Sequence, residues 1–418
     1  MNLNYKKLLI SQSVSMFGSQ ISYFTLPLIA SISLSASASE VGFLRAAEYL
    51  PALLFGLFVG VYVDAHNKRN IMLLSDLVRA ILLLLIPILW FFNVLDIYIL
   101  SGIGFFLGLF SLNFDIAYMS LLPKILKREK LIKANSYFEL SYSISSMSGP
   151  ALAGFLVQLL TAPIAIIVDA FSFLFSAIFV KKIEYEEVNN KKILNYKNVI
   201  SDLKEGIVFV YKEKLLYLFL ITSGCTNLIN TFLFPIYIVF LTQNLKLEAY
   251  IIGIIFSLGG IGAIIGAAIC KRLTEYYGQG KIILITICVT MISSLFVPII
   301  NNNSLISLVI LSAVQFIQGF AVTIRNINQV SIRMILTPNE LQGRMNSSFR
   351  FVLYGVVPIG SILGGLSGDL IGIKISLLLG ALLFLIPLWL FFTSKIYLMD
   401  EIVSSKYSQV RGKESINE

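Results

Sequence analysis

Charged side chains stand inside long apolar runs of this chain. Arg45 and Glu48 lie three residues apart, as do Asp76 and Arg79, while Asp115, Glu139, Asp169, Arg325 and Arg350 each interrupt stretches rich in Leu, Ile and Phe. An ionisable group surrounded by hydrocarbon costs at least ~2.5 kcal/mol unless it is paired or hydrated, so each marks a functional position by default. A carboxylate in that setting can take up and lose protons as its hydration changes. A guanidinium one helical turn away can instead neutralise it. Asp115 and Glu48 are the leading candidates for proton exchange. Glu139 and Asp169 are further candidates, with structural hydrogen bonding as the alternative. Glu48 also has a simple alternative, an ion pair with Arg45, and Arg79 reads as the partner of Asp76.

Other chemistries lack their residues. The single histidine, His66, sits among polar residues, and Cys225, Cys270 and Cys288 have no disulfide or metal-ligand spacing. No G-x-x-x-x-G-K-[ST] loop, G-x-S-x-G elbow or H-E-x-x-H pair occurs. The expectation is therefore no enzyme, no metal and no cofactor, with the proton as the coupling ion.

The elements holding these residues follow from composition. Of 418 residues, 57% are hydrophobic and 13% charged, against roughly 45–50% and 25% in soluble proteins. Lipid is the natural solvent of such a chain. Twelve stretches reach the ~20 residues that a spanning helix needs: 8–32, 41–63, 70–92, 96–122, 135–159, 162–181, 214–242, 249–270, 281–300, 304–331, 345–370 and 373–396. Residues 1–7 are too short for a separate signal region, so the first stretch reads as a retained span. The fold class expected is an all-α membrane protein, with twelve transmembrane helices in two six-helix bundles.

Outside the spans, Lys and Arg collect on one set of loops, and only Lys246 and Lys374 fall on the other. By the positive-inside rule the rich set, with both termini, faces the cytoplasm. The net charge of +9 thus reflects topology, and no nucleic-acid partner is needed. The organisation expected is a first bundle over 1–181, a cytoplasmic linker over 182–213 with an amphipathic helix within 199–211, a second bundle over 214–397 and a disordered tail over 398–418.

The halves echo one another. Gly60-x-x-x-Asp64-x-x-x-Lys68-Arg69 follows the second stretch and Gly266-x-x-x-Cys270-Lys271-Arg272 closes the eighth. Gly149-Pro150-x-x-x-Gly154 in the fifth is matched by Pro358-x-Gly360-x-x-x-Gly364 in the eleventh. Small residues four apart let helices approach closely. With Ser75-Asp76-Leu77-Val78-Arg79, Ala134-Asn135-Ser136 and Leu341-Gln342-Gly343-Arg344, these stretches resemble the major facilitator superfamily. More narrowly, they are similar to its bacterial drug-efflux branch of macrolide and siderophore exporters. Ala65 stands where that branch usually carries Arg, and Asn67 where it has Gly or Asp.

The resemblance implies alternating access around a central cavity, with helix packing at Gly149, Pro150, Gly154, Gly360 and Gly364. It implies a cytoplasmic gate at Gly60, Asp64, Lys68 and Arg69, to which Asp76 and Arg79 are added. Every deep carboxylate except Asp369 lies in the first half, so coupling is expected there. Much of the cargo surface is expected in the amide-rich second half, with Arg45, Tyr23, Asn227, Asn230, Phe232, Gln315, Gln318, Arg325 and Arg350 as candidates. The function expected is proton-coupled efflux of an amphipathic, macrolide-like small molecule from a bacterial inner membrane, by a monomer in the lipid bilayer. Export of a siderophore or lipid-related metabolite is the alternative, and a non-transporting receptor or scaffold is the alternative of another class.

Overall fold

The structure, a computed structural model, describes residues 3–126, 128–184, 205–338 and 341–394. Twelve long helices follow one another among them: α1 (Leu3–Leu28), α2 (Ala38–Ala65), α3 (Lys68–Phe91), α4 (Ile97–Ile125), α5 (Arg128–Leu160) and α6 (Ala162–Lys181) in the first half. The second half holds α7 (Lys214–Asn244), α8 (Ala249–Tyr277), α9 (Gln279–Leu295), α10 (Leu305–Leu336), α11 (Gln342–Ile371) and α12 (Ile373–Thr393). Nine are long and apolar enough to cross a bilayer, and α2 is a tenth when its two bent segments are joined. The other two are α1, which carries Lys6 and Lys7 near its start and has a serine-rich buried face, and α9, with 17 residues.

Local chemistry sets the boundaries. Ser37 and Glu40 form a reciprocal capping box at the start of α2. Asn67, Asp96 and Ser304 cap α3, α4 and α10 with their side-chain oxygens. Gly278 and Gly372 take positive φ at the turns into α9 and α12, which a Cβ would oppose. Two expected boundaries move. The basic stretch 123–134 is mostly helix, because α4 and α5 run on beyond the apolar zone, where a helix still satisfies its own backbone. The ninth span ends at Leu295, and the chain turns before 300.

Of the expected linker, residues 205–212 are helical, and Val210 is buried against Met345 and Phe349 while Glu205 pairs with Arg344 at 2.7 Å. Residues 185–204 of the expected linker, which include the start of the amphipathic helix expected within 199–211, and the expected tail, 398–418, lie outside the described residues.

The two halves repeat one packing plan. In the first, α1 packs on α5 and α6, α3 on α4 and α6, and α2 on α4. In the second, α7 packs on α11 and α12, α9 on α10 and α12, and α8 on α10. The halves meet through α2 with α11 and through α5 with α8, again a matched pair. Each relation reappears when six is added to the helix number.

Contacts between the halves concentrate at the face opposite the basic loops. There Gly154 of α5 meets Ala249 and Gly253 of α8 so closely that a Cβ on Gly154 would stand 2.4 Å from the Ala249 carbonyl oxygen. Gly365 of α11 presses on Ala38 and Ser39, and Gln243 donates to the Ala36 carbonyl at 2.8 Å. Phe24 and Phe256 add an edge-to-face contact at 5.3 Å. Toward the basic face the halves part, leaving Asp115, Glu139, Tyr142 and Arg350 exposed within helices.

Candidate functional site

Between the halves lies a cavity of about 500 Å³ walled mostly by the first half, within the ~300–1,000 Å³ range of small-molecule sites. Six charged residues line it: Arg45, Glu48, Arg79, Asp115, Asp169 and Arg350. They come from α2, α3, α4, α6 and α11, so the fold gathers groups scattered across some 300 positions of sequence.

Arg45 and Glu48 form an ion pair at 2.7 Å along α2. The Arg45 guanidinium also lies 4.0 Å from the Tyr23 ring centre, 4.6 Å from Tyr49 and 4.8 Å from Phe234. Such stacking favours a cation strongly when water is excluded, and Arg45 is only 6% exposed. Glu48 is held by close helix packing, since a Cβ on Gly108 of α4 would fall 2.0 Å from the Glu48 carbonyl oxygen. One Glu48 oxygen, Oε1, is buried and makes no hydrogen bond among the described residues.

Asp76 and Arg79 form a second pair at 2.5 Å, fully inside the first bundle. Ser176 of α6 donates to the other Asp76 oxygen at 2.6 Å, and Ser11 of α1 joins Ser176 at 2.7 Å. The Arg79 guanidinium is sandwiched between Phe114 and Phe173, 4.5 and 4.1 Å away. These two residues were expected at the cytoplasmic gate. The structure corrects that placement: Arg79 lies eleven residues into α3, about 16 Å by helical rise, and points to the cavity while Asp76 faces α6.

Asp169 differs from both. It is 0% exposed, and its carboxylate accepts from Ser172 at 2.8 Å and from Ser22 of α1. Gly18 makes room for it, because a Cβ there would lie 2.2 Å from Asp169 Oδ1. No Lys or Arg forms an ion pair with it among the described residues. Asp115 is exposed to the cavity from α4, and Arg350 reaches from α11 to within 3.8 Å of the Met119 sulfur, one turn from Asp115.

Other expected residues fall elsewhere. Glu139 is exposed on α5 outside the cavity wall. Arg325 is buried in the second half, where its guanidinium reaches the Thr290 hydroxyl at 3.5 Å, and it lines neither cavity described here. Asn227 donates to the Leu353 carbonyl at 2.7 Å and so ties α7 to α11. Phe232 is buried, its backbone pressed by Gly364. Both were expected to line the cavity; they serve helix packing, which takes an amide or an aromatic ring equally well. Tyr23 lines the large cavity, whereas Asn230, Gln315 and Gln318 line a smaller one in the second half.

At the basic face, Lys68 donates to the Asp64 carbonyl at 2.9 Å and Arg69 to the Ile183 carbonyl at 3.0 Å, both within the first half. The Asp64 side chain is exposed and Gly60 has open space beside it. Gly149 packs on Gln20 of α1, Pro150 presents its carbonyl to Gly253, and Gly360 packs on Thr231. Sequence reasoning missed Tyr49, Tyr354 and Phe234 as cavity aromatics. It also missed the serines that hold the buried carboxylates, although Ser172 and Ser176 recur one turn apart beside Asp169.

A cavity lined by charges of both signs and closed by tight helix packing at the face opposite the basic loops is the geometry of a carrier rather than of a catalyst. The family profile described as Major Facilitator Superfamily matches residues 8–361. The multidrug efflux pump Tap of Mycolicibacterium fortuitum is 26% identical over 362 residues, covering 82% of this chain and 84% of that protein. Macrolide efflux protein A of Streptococcus pyogenes is 24% identical over 345 residues, covering 81% and 83%. Among solved structures, a bacterial homologue of the iron transporter ferroportin in an inward-facing state superimposes with a TM-score of 0.73 at 14% identity, covering 95% of this chain and all of that one. The nucleoside transporter NupG gives 0.71 at 14%, covering 94% and 98%. With a profile match over most of its length and this shared fold, the chain belongs to the Major Facilitator Superfamily and is a multi-pass membrane transporter, not an enzyme.

Proposed function

We propose that this transporter exports an amphipathic small molecule, of the size and character of a macrolide, against inward proton flow. The observation that carries the reading is the convergence of Glu48, Asp115 and Asp169 on one cavity that is sealed at the far face. The efflux relatives support the direction and cargo class. The basic face is taken as cytoplasmic by the positive-inside rule, in a bacterial inner membrane, which makes this conformation inward-facing. Rocking of the halves about α2–α11 and α5–α8 then exposes the same cavity to the other side.

Coupling needs a carboxylate whose ionisation follows the water that reaches it. Glu48 and Asp76 are tied to arginines, whereas Asp115 is open to the cavity and Asp169 has only hydroxyl donors. Asp115 and Asp169 are therefore the coupling pair in this reading. The protein acts as a monomer, since each copy holds a complete cavity.

The test is erythromycin movement in proteoliposomes with an imposed pH gradient. Uphill movement that collapses with the gradient supports the proposal. Movement indifferent to the gradient, or its persistence when Asp115 and Asp169 are both amidated, refutes proton coupling. Export of an anionic metabolite is the second reading, favoured by the exposed Arg350. It predicts that Arg350→Gln abolishes binding of the anion while sparing cationic cargo.

A further inference from the structure

The second half contains a cavity of a different chemical kind. It measures about 180 Å³ and lies among α7, α8, α9, α10 and α12, room for about six waters at ~30 Å³ each or for one substituted six-membered ring. Its polar lining consists of Asn230, Tyr237, Ser294, Gln315 and Gln318, and no Asp, Glu, Lys, Arg or His reaches it. The large cavity next to it carries six charged residues.

One of these polar groups is buried and unspent. The Tyr237 hydroxyl is buried, on a residue 8% exposed, and lies beside Gln315 without completing a hydrogen bond. Asn230 and Gln315 are half-buried, with Gln315 beside the Tyr237 hydroxyl, while Gln318 donates to Ser294 at 3.1 Å. A buried hydroxyl left without a partner costs about 1–3 kcal/mol, so a fold that aims the Tyr237 hydroxyl and three amide side chains at one space favours a polar occupant there. The space is held open by rigid packing. On its α10 side, Gly319 faces Gly259 of α8 so tightly that a Cβ would stand 1.9 Å from the Gly259 carbonyl oxygen, which fixes where Gln315 and Gln318 project.

Phe234 is the wall between the two cavities. It lines the small one and stands against Arg45 and Tyr23 of the large one, at 4.8 and 6.2 Å. A molecule lying across Phe234 would have one end among charges and the other among amides and aromatic rings. Amides with aromatic walls recognise hydroxyls and carbonyls on an un-ionised ring, because each such group pairs with one donor or acceptor without a net charge to desolvate.

We propose that this pocket is a second cargo subsite, selective for the uncharged, hydroxyl- or carbonyl-bearing part of the molecule, with Phe234 as the divider from the ionic cavity. The proposal rests on the export reading above. It assigns the division of labour inside one cargo molecule: the ionised group to the first half and the neutral polar ring to the second.

The experiment measures equilibrium binding of two probes to the full-length protein in nanodiscs. Erythromycin carries both an amine and neutral hydroxylated rings; tetraphenylphosphonium is a permanent cation with no hydrogen-bonding group. Tyr237→Phe removes one hydroxyl at nearly constant volume, and Gln315→Leu removes an amide. For erythromycin, the first is expected to weaken binding about threefold to tenfold and the second about tenfold, one hydrogen bond each. Tetraphenylphosphonium binding should stay within about twofold. Erythromycin binding unchanged in both variants overturns the subsite, and so does equal weakening of both probes, which would mean general collapse. Wild-type protein that binds the cation but not erythromycin also overturns the subsite alone. Wild-type protein that binds neither probe removes the export reading and the subsite together.

Discussion

Asp369 at the end of α11 closes the start of α2 through Ser39. The Asp369 carboxylate accepts the Ser39 hydroxyl and, at 3.1 Å, the Ser39 amide, and it also takes the Ala38 amide at 3.0 Å and the Ser37 hydroxyl at 2.8 Å. Four donors from one helix N-terminus thus converge on one carboxylate of the other half. The positive end of the α2 dipole adds to the attraction. In the alternating-access reading proposed above, the packed helices α2 and α11 separate here when the far face opens, so this contact favours the conformation open toward the basic face.

Removing that carboxylate is expected to loosen the far seam. Asp369→Ala leaves the amides of Ala38 and Ser39 to water, so the sealed conformation loses only the net value of exposed hydrogen bonds, about 0.5–1.5 kcal/mol. Spin labels at Ser35→Cys and Lys246→Cys, on the two far-face turns, should then show a growing population at longer distance. Distances identical to the parent would show that the contact is incidental to the equilibrium.

Gly154 tests the second seam, and there the effect is steric. Its missing side chain lets α5 meet α8 at Ala249 and Gly253. Gly154→Leu should hold the far face apart, cutting transport more than about tenfold while the protein stays folded, since overpacking a contact costs about 1–3 kcal/mol. Transport at parental rates would mean that the helices slide past this point without touching.

Much of this arrangement was legible from residue spacing, and the exceptions share a cause. Apolar length and Lys/Arg placement set out the helices, and Arg45 with Glu48, three apart, announced an ion pair that the fold makes at 2.7 Å. The paired glycines of α5 and α11 announced close approach. Arg79 was misplaced because its depth is known only once α3 is seated against Phe114 and Phe173, residues 35 and 94 positions downstream. Asn227 and Phe232 were misread because rotation of α7 decides whether a side chain meets a cavity or a neighbour, and the small rise in polarity along that helix does not encode it. Tyr49 and Tyr354 come together across the halves at 6.3 Å, a relation no local pattern contains.

Arg79 and Asp76 should behave as a structural pair. Arg79→Ala leaves Asp76 buried with Ser176 as its remaining donor, and breaking a buried pair costs about 3–5 kcal/mol. The expected result is a lower thermal unfolding midpoint and poor membrane yield, with Asp76→Asn/Arg79→Gln recovering much of the loss. A single variant of full thermal stability, deficient in transport alone, would move Arg79 from scaffold to transport chemistry.

Asp169 should behave in the opposite way. Asparagine keeps one acceptor oxygen for one of Ser22 and Ser172, can donate its NH2 to the hydroxyl oxygen of the other, and fills the same space against Gly18, so Asp169→Asn is expected to fold normally. What it loses is the exchangeable proton. Uphill erythromycin accumulation driven by a pH gradient should fall at least about tenfold, the size expected when a coupling step rather than a binding contact is removed, while exchange of erythromycin at equal pH on both sides continues. Ser22→Ala, which strips one donor and leaves the carboxyl group, should fall between the two. If Asp169→Asn still drives accumulation as the parent does, the proton is carried by Asp115, whose exposed carboxylate is the other one in the cavity that no arginine ties down.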